Sequence, residues 1–156
     1  MPPVRSTLLL PLVLAGCAAP RGAAADRAAV LATVQAFFDA MHARDAHAAA
    51  RTLVADGAFV NTRVEDGRRV EKHFSNREWI ERLPREQSLL LETLRGSPTV
   101  LVAGDLATVW CAYDFSIDGK PSHAGVDAFN LVRTDAGWRI SGGAYSVVRP
   151  LSGASE

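Results

Sequence analysis

The sequence predicts an α+β fold: a curved antiparallel sheet wrapped on a long N-terminal helix, with a conical space between them. Three observations predict it. Val30, Val34, Phe37 and Met41 recur at helical spacing on one face, so residues 27–43 read as an amphipathic helix. Asp66-Gly67 joins two strand-forming runs as a tight hairpin. Four more such runs then follow across short turns, the pattern of an antiparallel meander. A twisted meander has one face to bury, and an amphipathic helix can cover it.

Each element has a local reason. Asp26 is placed to cap the long helix, and Leu31 and Phe38 widen its apolar face. Asp45 can cap a second, shorter helix to about Leu53, with Asp56-Gly57 ending it. Residues 58–65 and 68–74 flank Asp66-Gly67. Ser75-Asn76-Arg77-Glu78 is a capping box, and the short helix it opens carries Trp79, Ile80 and Leu83 before Pro84 ends it. The meander strands are residues 88–102, interrupted at Gly96-Ser97-Pro98, then 106–117, 122–133 and 137–148. Asp118-Gly119 and Asp135-Ala136-Gly137 make the last two turns.

A length of 156 residues suits one domain, and 48% hydrophobic residues support a real core. Lys and Arg number 17 and so do Asp and Glu, which leaves no electrostatic footprint for nucleic acid. Arg5 precedes an apolar run, residues 8–14, far shorter than the ~20 residues of a membrane span. Leu14-Ala15-Gly16-Cys17 follows directly and looks like a lipobox, although an ordinary leader with a chance cysteine is the alternative. The expected organisation is a lipoprotein signal peptide (1–16), a lipidated tether beginning at Cys17 (17–25), one domain (26–149) and a tail (150–156). The leader removes Arg5 alone among charged residues, leaving one net negative charge. The expected location is the cell envelope, with the membrane held through Cys17. Ala18 after the cysteine resembles the pattern of outer-membrane lipoproteins facing the periplasm in Gram-negative cells. Cys111 lies in an apolar strand and reads as a buried, inert thiol.

Four segments then carry a resemblance: Tyr113-Asp114-Phe115, Asp118-Gly119-Lys120, His123-Ala124-Gly125-Val126-Asp127-Ala128-Phe129, and Gly137-Trp138-Arg139-Ile140. Over residues 26–148 the chain resembles the nuclear transport factor 2-like superfamily, nearest its lumazine-binding and SnoaL-like domains. That superfamily includes ketosteroid isomerase, scytalone dehydratase, polyketide cyclases and a kinase association domain. The resemblance implies a cone-shaped fold but not an activity, because the fold hosts enzymes and binders alike.

Strand alternation sorts the candidate residues. Tyr113, His123, Asp127, Phe129, Leu131, Trp138 and Ile140 are assigned to the concave face, with Gly142 and Ala144 sharing the parity of the last two. A bulge would invert part of this assignment, and Gly142-Gly143 is a plausible place for one. Asp127 among apolar neighbours would have a raised pKa and could serve as general base or neutral donor, unless backbone amides or a basic side chain satisfy it. Ketosteroid isomerase also uses a late-strand aspartate, but in rough register that residue falls nearer Asn130 than Asp127. His123 has suitable chemistry for proton transfer, or is a rim histidine; at ~13 Å along the strand it cannot pair with Asp127. Tyr113 could donate to a ligand or be a satisfied core tyrosine, and Trp79 is a lid or a core anchor. Phe37, Met41, Phe129 and Trp138 are the expected apolar ligand contacts. His73 reads as surface. His42 and His47 lie on different helices and make no zinc pair, and no His-Glu-x-x-His, Cys-x-x-Cys, Walker or Gly-x-Ser-x-Gly motif occurs, so no metal or cofactor is expected.

Three readings follow: a pocket for a small apolar or aromatic molecule; a cofactor-free isomerase, cyclase or dehydratase using Asp127 or His123; and a homodimerising interaction domain. The last would pair through the convex sheet, where Trp110 and Asp114 are expected. Because no acid–base partner for Asp127 is evident in the sequence, binding is favoured over catalysis.

Overall fold

The computed structural model describes residues 22–149, so the leader, Cys17 and the tail lie outside the described residues. Helix α1 spans Ala23–Ala43 and α2 spans Ala46–Thr52. The hairpin is β1 (Leu53–Glu65) and β2 (Arg68–Ser75), followed by α3 (Asn76–Arg82) and a 3₁₀ turn at Leu83–Arg85. The meander is β3 (Leu90–Ala103), β4 (Leu106–Ile117), β5 (Lys120–Thr134) and β6 (Gly137–Val147). The six strands form one sheet in the order β2-β1-β6-β5-β4-β3. All pairs are antiparallel except β1 with β6, which joins hairpin to meander in parallel. The helices lie against the concave face of this sheet, giving an α+β cone.

Helix α1 buries Val30, Val34, Phe37, Phe38 and Met41, the face its periodicity marks. It starts earlier than the sequence suggested: Ala23–Ala25, expected as tether, form its first turn, and Gly22 occupies the N-cap. Asp26 is therefore not a cap. Its carboxylate reaches across to Arg133 at 2.8 Å, and Arg133 in turn lies 4.2 Å above the Trp138 ring. Arg27 donates to the carbonyls of Pro98 and Val100. Together these contacts close one end of the cone. At the other end of α1, Arg44 terminates the helix in the left-handed region.

Asp45 caps α2 by accepting from the Ala48 amide, and Ser75 with Glu78 forms the capping box of α3. Asp56-Gly57 does not end α2, which stops at Thr52; β1 already runs through it. Gly57 is needed there for close approach: a Cβ would stand 1.9 Å from the Ser141 carbonyl oxygen and 2.5 Å from Asn76 Nδ2.

The sheet register contains one consequential irregularity. Asn130 pairs with Gly142 but Leu131 pairs with Ile140, so Ser141 is an extra residue and Gly142 takes φ 143°. Below this bulge Trp138 and Ile140 point inward, as expected. Above it the facing inverts, so Tyr145 enters the concave face and Ala144 is exposed, the reverse of the simple alternation.

Candidate functional site

Between the sheet and α1 lies a cavity of about 160 Å³. Phe37 and Met41 of α1, Trp79 of α3, Phe59 of β1, Phe74 of β2, Phe115 of β4 and Phe129 of β5 form most of its wall. Phe37 sits at the centre of an aromatic cluster, 4.9 Å from Trp79 and 6.2 Å from Phe129 between ring centroids. Phe59 stacks on Phe74 at 5.9 Å and meets Phe129 edge-on. Trp79 thus serves as both cavity wall and aromatic anchor. Trp138 does not reach the cavity: it is buried at the closed end beneath Arg133, below the bulge, and is corrected here from ligand contact to core.

Asp127 faces this apolar space and is only 4% exposed. Asn130 is exposed on the convex face, where its Oδ1 accepts from Thr108 Oγ1, so it is not the candidate carboxylate position. The partner for Asp127 that the sequence reading lacked is Glu92. On β3, Glu92 pairs in register with Phe115 and lines the same cavity. The two carboxyl groups interact directly. Burial pushes Asp127 up to about 6, opposed by its hydrogen bond with Glu92. Burial also raises Glu92 well above the carboxylate range, and the Asp127 charge raises it further. Both groups therefore favour the protonated form more than ordinary carboxyls do, and they titrate as a pair rather than independently.

The other polar groups differ in what they have left to offer. Tyr113 donates its hydroxyl to the Ser146 carbonyl at 2.9 Å, which makes it a satisfied core tyrosine. Tyr145 accepts from Asn61 Nδ2 at 3.1 Å and keeps its own proton to give. His123 stacks on Phe115 at 4.6 Å, with Nδ1 3.1 Å from Ser122 Oγ. Burial, assisted by the positive charge of Arg149, lowers its pKa and keeps it neutral. Asn76 is fully buried: Nδ2 donates to the Val54 carbonyl at 2.7 Å, while Oδ1 meets no donor. Oδ2 of Asp127 likewise meets none. Cys111 is buried and free, and burial pushes its thiol up to about 12, an inert state. His73 is exposed, as expected. Among the described residues no group of three His, Cys, Asp or Glu side chains could hold a metal ion.

Glu92, Asn76 and Tyr145 were not foreseen. Glu92 had a visible signal: it shares parity with Leu90 and Leu94 and is the one charge on that apolar stripe. Asn76 was absorbed into the capping box, and Tyr145 was hidden by the bulge.

Comparison with solved structures agrees with this architecture. An NTF2-like superfamily protein from Salmonella enterica serovar Typhimurium superposes with a TM-score of 0.66 at 13% identity, covering 86% of this chain and 99% of that one. An NTF2-like protein with a cystatin-like fold from Novosphingobium aromaticivorans gives 0.63 at 21% identity, covering 85% and 86%. A protein from Streptomyces avermitilis, described as a putative dehydratase of the NTF2-like family, gives 0.60 at 21% identity, covering 81% and 99%. At these identities the likeness establishes the fold alone. None of the curated proteins matches the chain. A helix-wrapped NTF2-like cone with an aromatic cavity is thus joined to a sequence match over residues 25–146 to the family described as "Putative lumazine-binding", and the chain belongs to that family.

Proposed function

We propose that the protein is a lipid-anchored binding protein of the cell envelope that holds a small apolar or aromatic molecule in its cone. The observation that carries this reading is the aromatic-walled cavity of about 160 Å³. Protein interiors are otherwise close-packed, and an apolar cavity of ~150 Å³ is enough to admit benzene. The anchor rests on Leu14-Ala15-Gly16-Cys17. Helix α1, with 21 residues, runs roughly 30 Å from the tether side, so an anchored domain carries its cavity away from the bilayer.

Native mass spectrometry of the protein extracted from its own membranes tests the pocket: a bound small molecule, lost on unfolding, is expected. An empty cavity in every preparation would count against it. The same spectra report the homodimer expected through the convex face, where Trp110 is 58% exposed and Leu101 and Leu106 are exposed on the same pair of strands. Cys17→Ser should abolish lipid labelling and membrane retention; unchanged partitioning would overturn the anchor.

A second reading has a specific observation in its favour. The Glu92–Asp127 pair supplies an acid and a base side by side, as a cofactor-free isomerase, cyclase or dehydratase would need. In that reading Asp127 is the base and His123, whose pKa burial lowers, is secondary. Asp127→Asn would then reduce turnover about 100-fold or more.

A further inference from the structure

The polar groups of the cavity are unbalanced. The two buried atoms in its lining without a hydrogen-bond partner, Asp127 Oδ2 and Asn76 Oδ1, are both acceptors. Among the described residues no Lys or Arg lines the cavity. An unpaired buried acceptor is costly, more so when it carries charge, and a ligand that brings N–H donors removes the cost. The surrounding wall is aromatic, and ring faces attract cations, most strongly when water is excluded. The volume matches one ring.

We propose that the cavity takes a single-ring organic cation, an aromatic amine, amidine or protonated N-heterocycle, whose N–H groups are held by the carboxyl groups of Glu92 and Asp127. The proposal rests on the pocket reading above and names its ligand class. A cation brings N–H donors to the Asp127 oxygen that has no partner, and a charge-assisted hydrogen bond there is the strong one. Anions meet a buried negative charge and are refused.

The pH dependence follows from the groups around the site. Glu92 on β3, Cys111 and Tyr113 on β4, His123 on β5 and Tyr145 on β6 are the titratable side chains there, with Arg149 near His123 and Arg63 near Tyr145. The α1 and α3 contacts, Phe37, Met41 and Trp79, add none. Cys111, Tyr113 and Tyr145 are all raised by burial and stay neutral. Asp127, at about 6, loses its charge on acidification, and any protonation of His123, which burial opposes, would act against a cation in the same direction. Cation binding should therefore weaken as pH falls below about 6.

Calorimetry on the full-length protein in detergent, with benzamidinium, benzamide and benzoate as probes, tests this. Benzamidinium should bind at least tenfold tighter than its neutral isostere benzamide, and benzoate should not bind. From pH 7 to pH 5 benzamidinium affinity should fall roughly tenfold, with proton release, while that of benzamide stays level. Asp127→Asn should erase the cation preference yet keep benzamide binding, which shows that the cavity is intact, whereas Glu92→Gln, which leaves the Asp127 carboxyl in place, should lower the preference less. Equal affinity for benzamidinium and benzamide would overturn the inference and leave the pocket reading standing. Binding of none of the three, nor of benzene, would overturn both.

Discussion

The two ends of the cone are built from the same strands and the same helix, yet they solve opposite problems. At the closed end Val30, Val34, Leu131 and Ile140 are buried to 1% or less, and the Asp26–Arg133 pair lies over Trp138. At the open end α1 presents Phe37 and Met41 to strands that carry Glu92 and Asp127, and the space is not filled. The bulge at Ser141 divides the two regimes on β6: below it two large side chains fill the core, and above it Gly143 and Tyr145 leave room. One end supplies stability, and that stability permits two carboxyls in an apolar cavity at the other. Proteins can carry such local costs at functional sites when the rest of the fold compensates.

Three predictions sharpen this contrast. The largest effect belongs to the closed end: Trp138→Ala should cost about 3–5 kcal/mol of unfolding free energy by chemical denaturation, without changing which ring compounds bind. A loss below about 1 kcal/mol would mean that Trp138 is not core. The second effect belongs to the open end and depends on pH. Folding raises Asp127 from the ordinary 3.8 to about 6 and raises Glu92 further, so the folded protein holds protons that the unfolded chain releases. Their stabilising contribution is complete below pH ~4 and is lost as pH rises through about 6 and beyond. For Asp127 alone this amounts to at most roughly 3 kcal/mol. Melting curves of the ligand-free protein should show lower stability at pH 8 than at pH 5, and Asp127→Asn should flatten the slope. A stability that rises across that interval would contradict the burial of the pair. The smallest effect is expected for Trp79→Ala, at about 1–2 kcal/mol, because Trp79 is only half-buried. Its stronger consequence should be weaker binding of benzene, read by titration.

How much of this was legible in the sequence depends on whether periodicity or tertiary contact decided the outcome. The α1 face, the Ser75 capping box and the hairpin at Asp66-Gly67 are local signals, and the fold follows them. Asp127 was found because β5 alternates without interruption from Gly125 to Leu131. Glu92 obeyed the same rule on β3 and could have been found by it. Asp26 satisfied every local criterion for a cap, but Arg133, distant in sequence, claims it. Tyr145 was missed because a single inserted residue inverts a strand's facing, and strand parity cannot see an insertion; Trp138 keeps its inward facing but lies at the closed end, and parity does not give depth along the cone. Asn76 depends on α3 docking against β1 and β6, a contact with no sequence period at all.

Carboxyl NMR titration of Glu92 and Asp127 in the ligand-free protein tests the central claim most directly, since it reads the two groups in place. The account predicts an Asp127 midpoint near 6, a Glu92 midpoint well above the ordinary carboxylate range, and mutual coupling between the two curves. Two independent titrations in the ordinary range near pH 4 would contradict it, because such carboxyls would be solvated and the cavity would hold no buried pair.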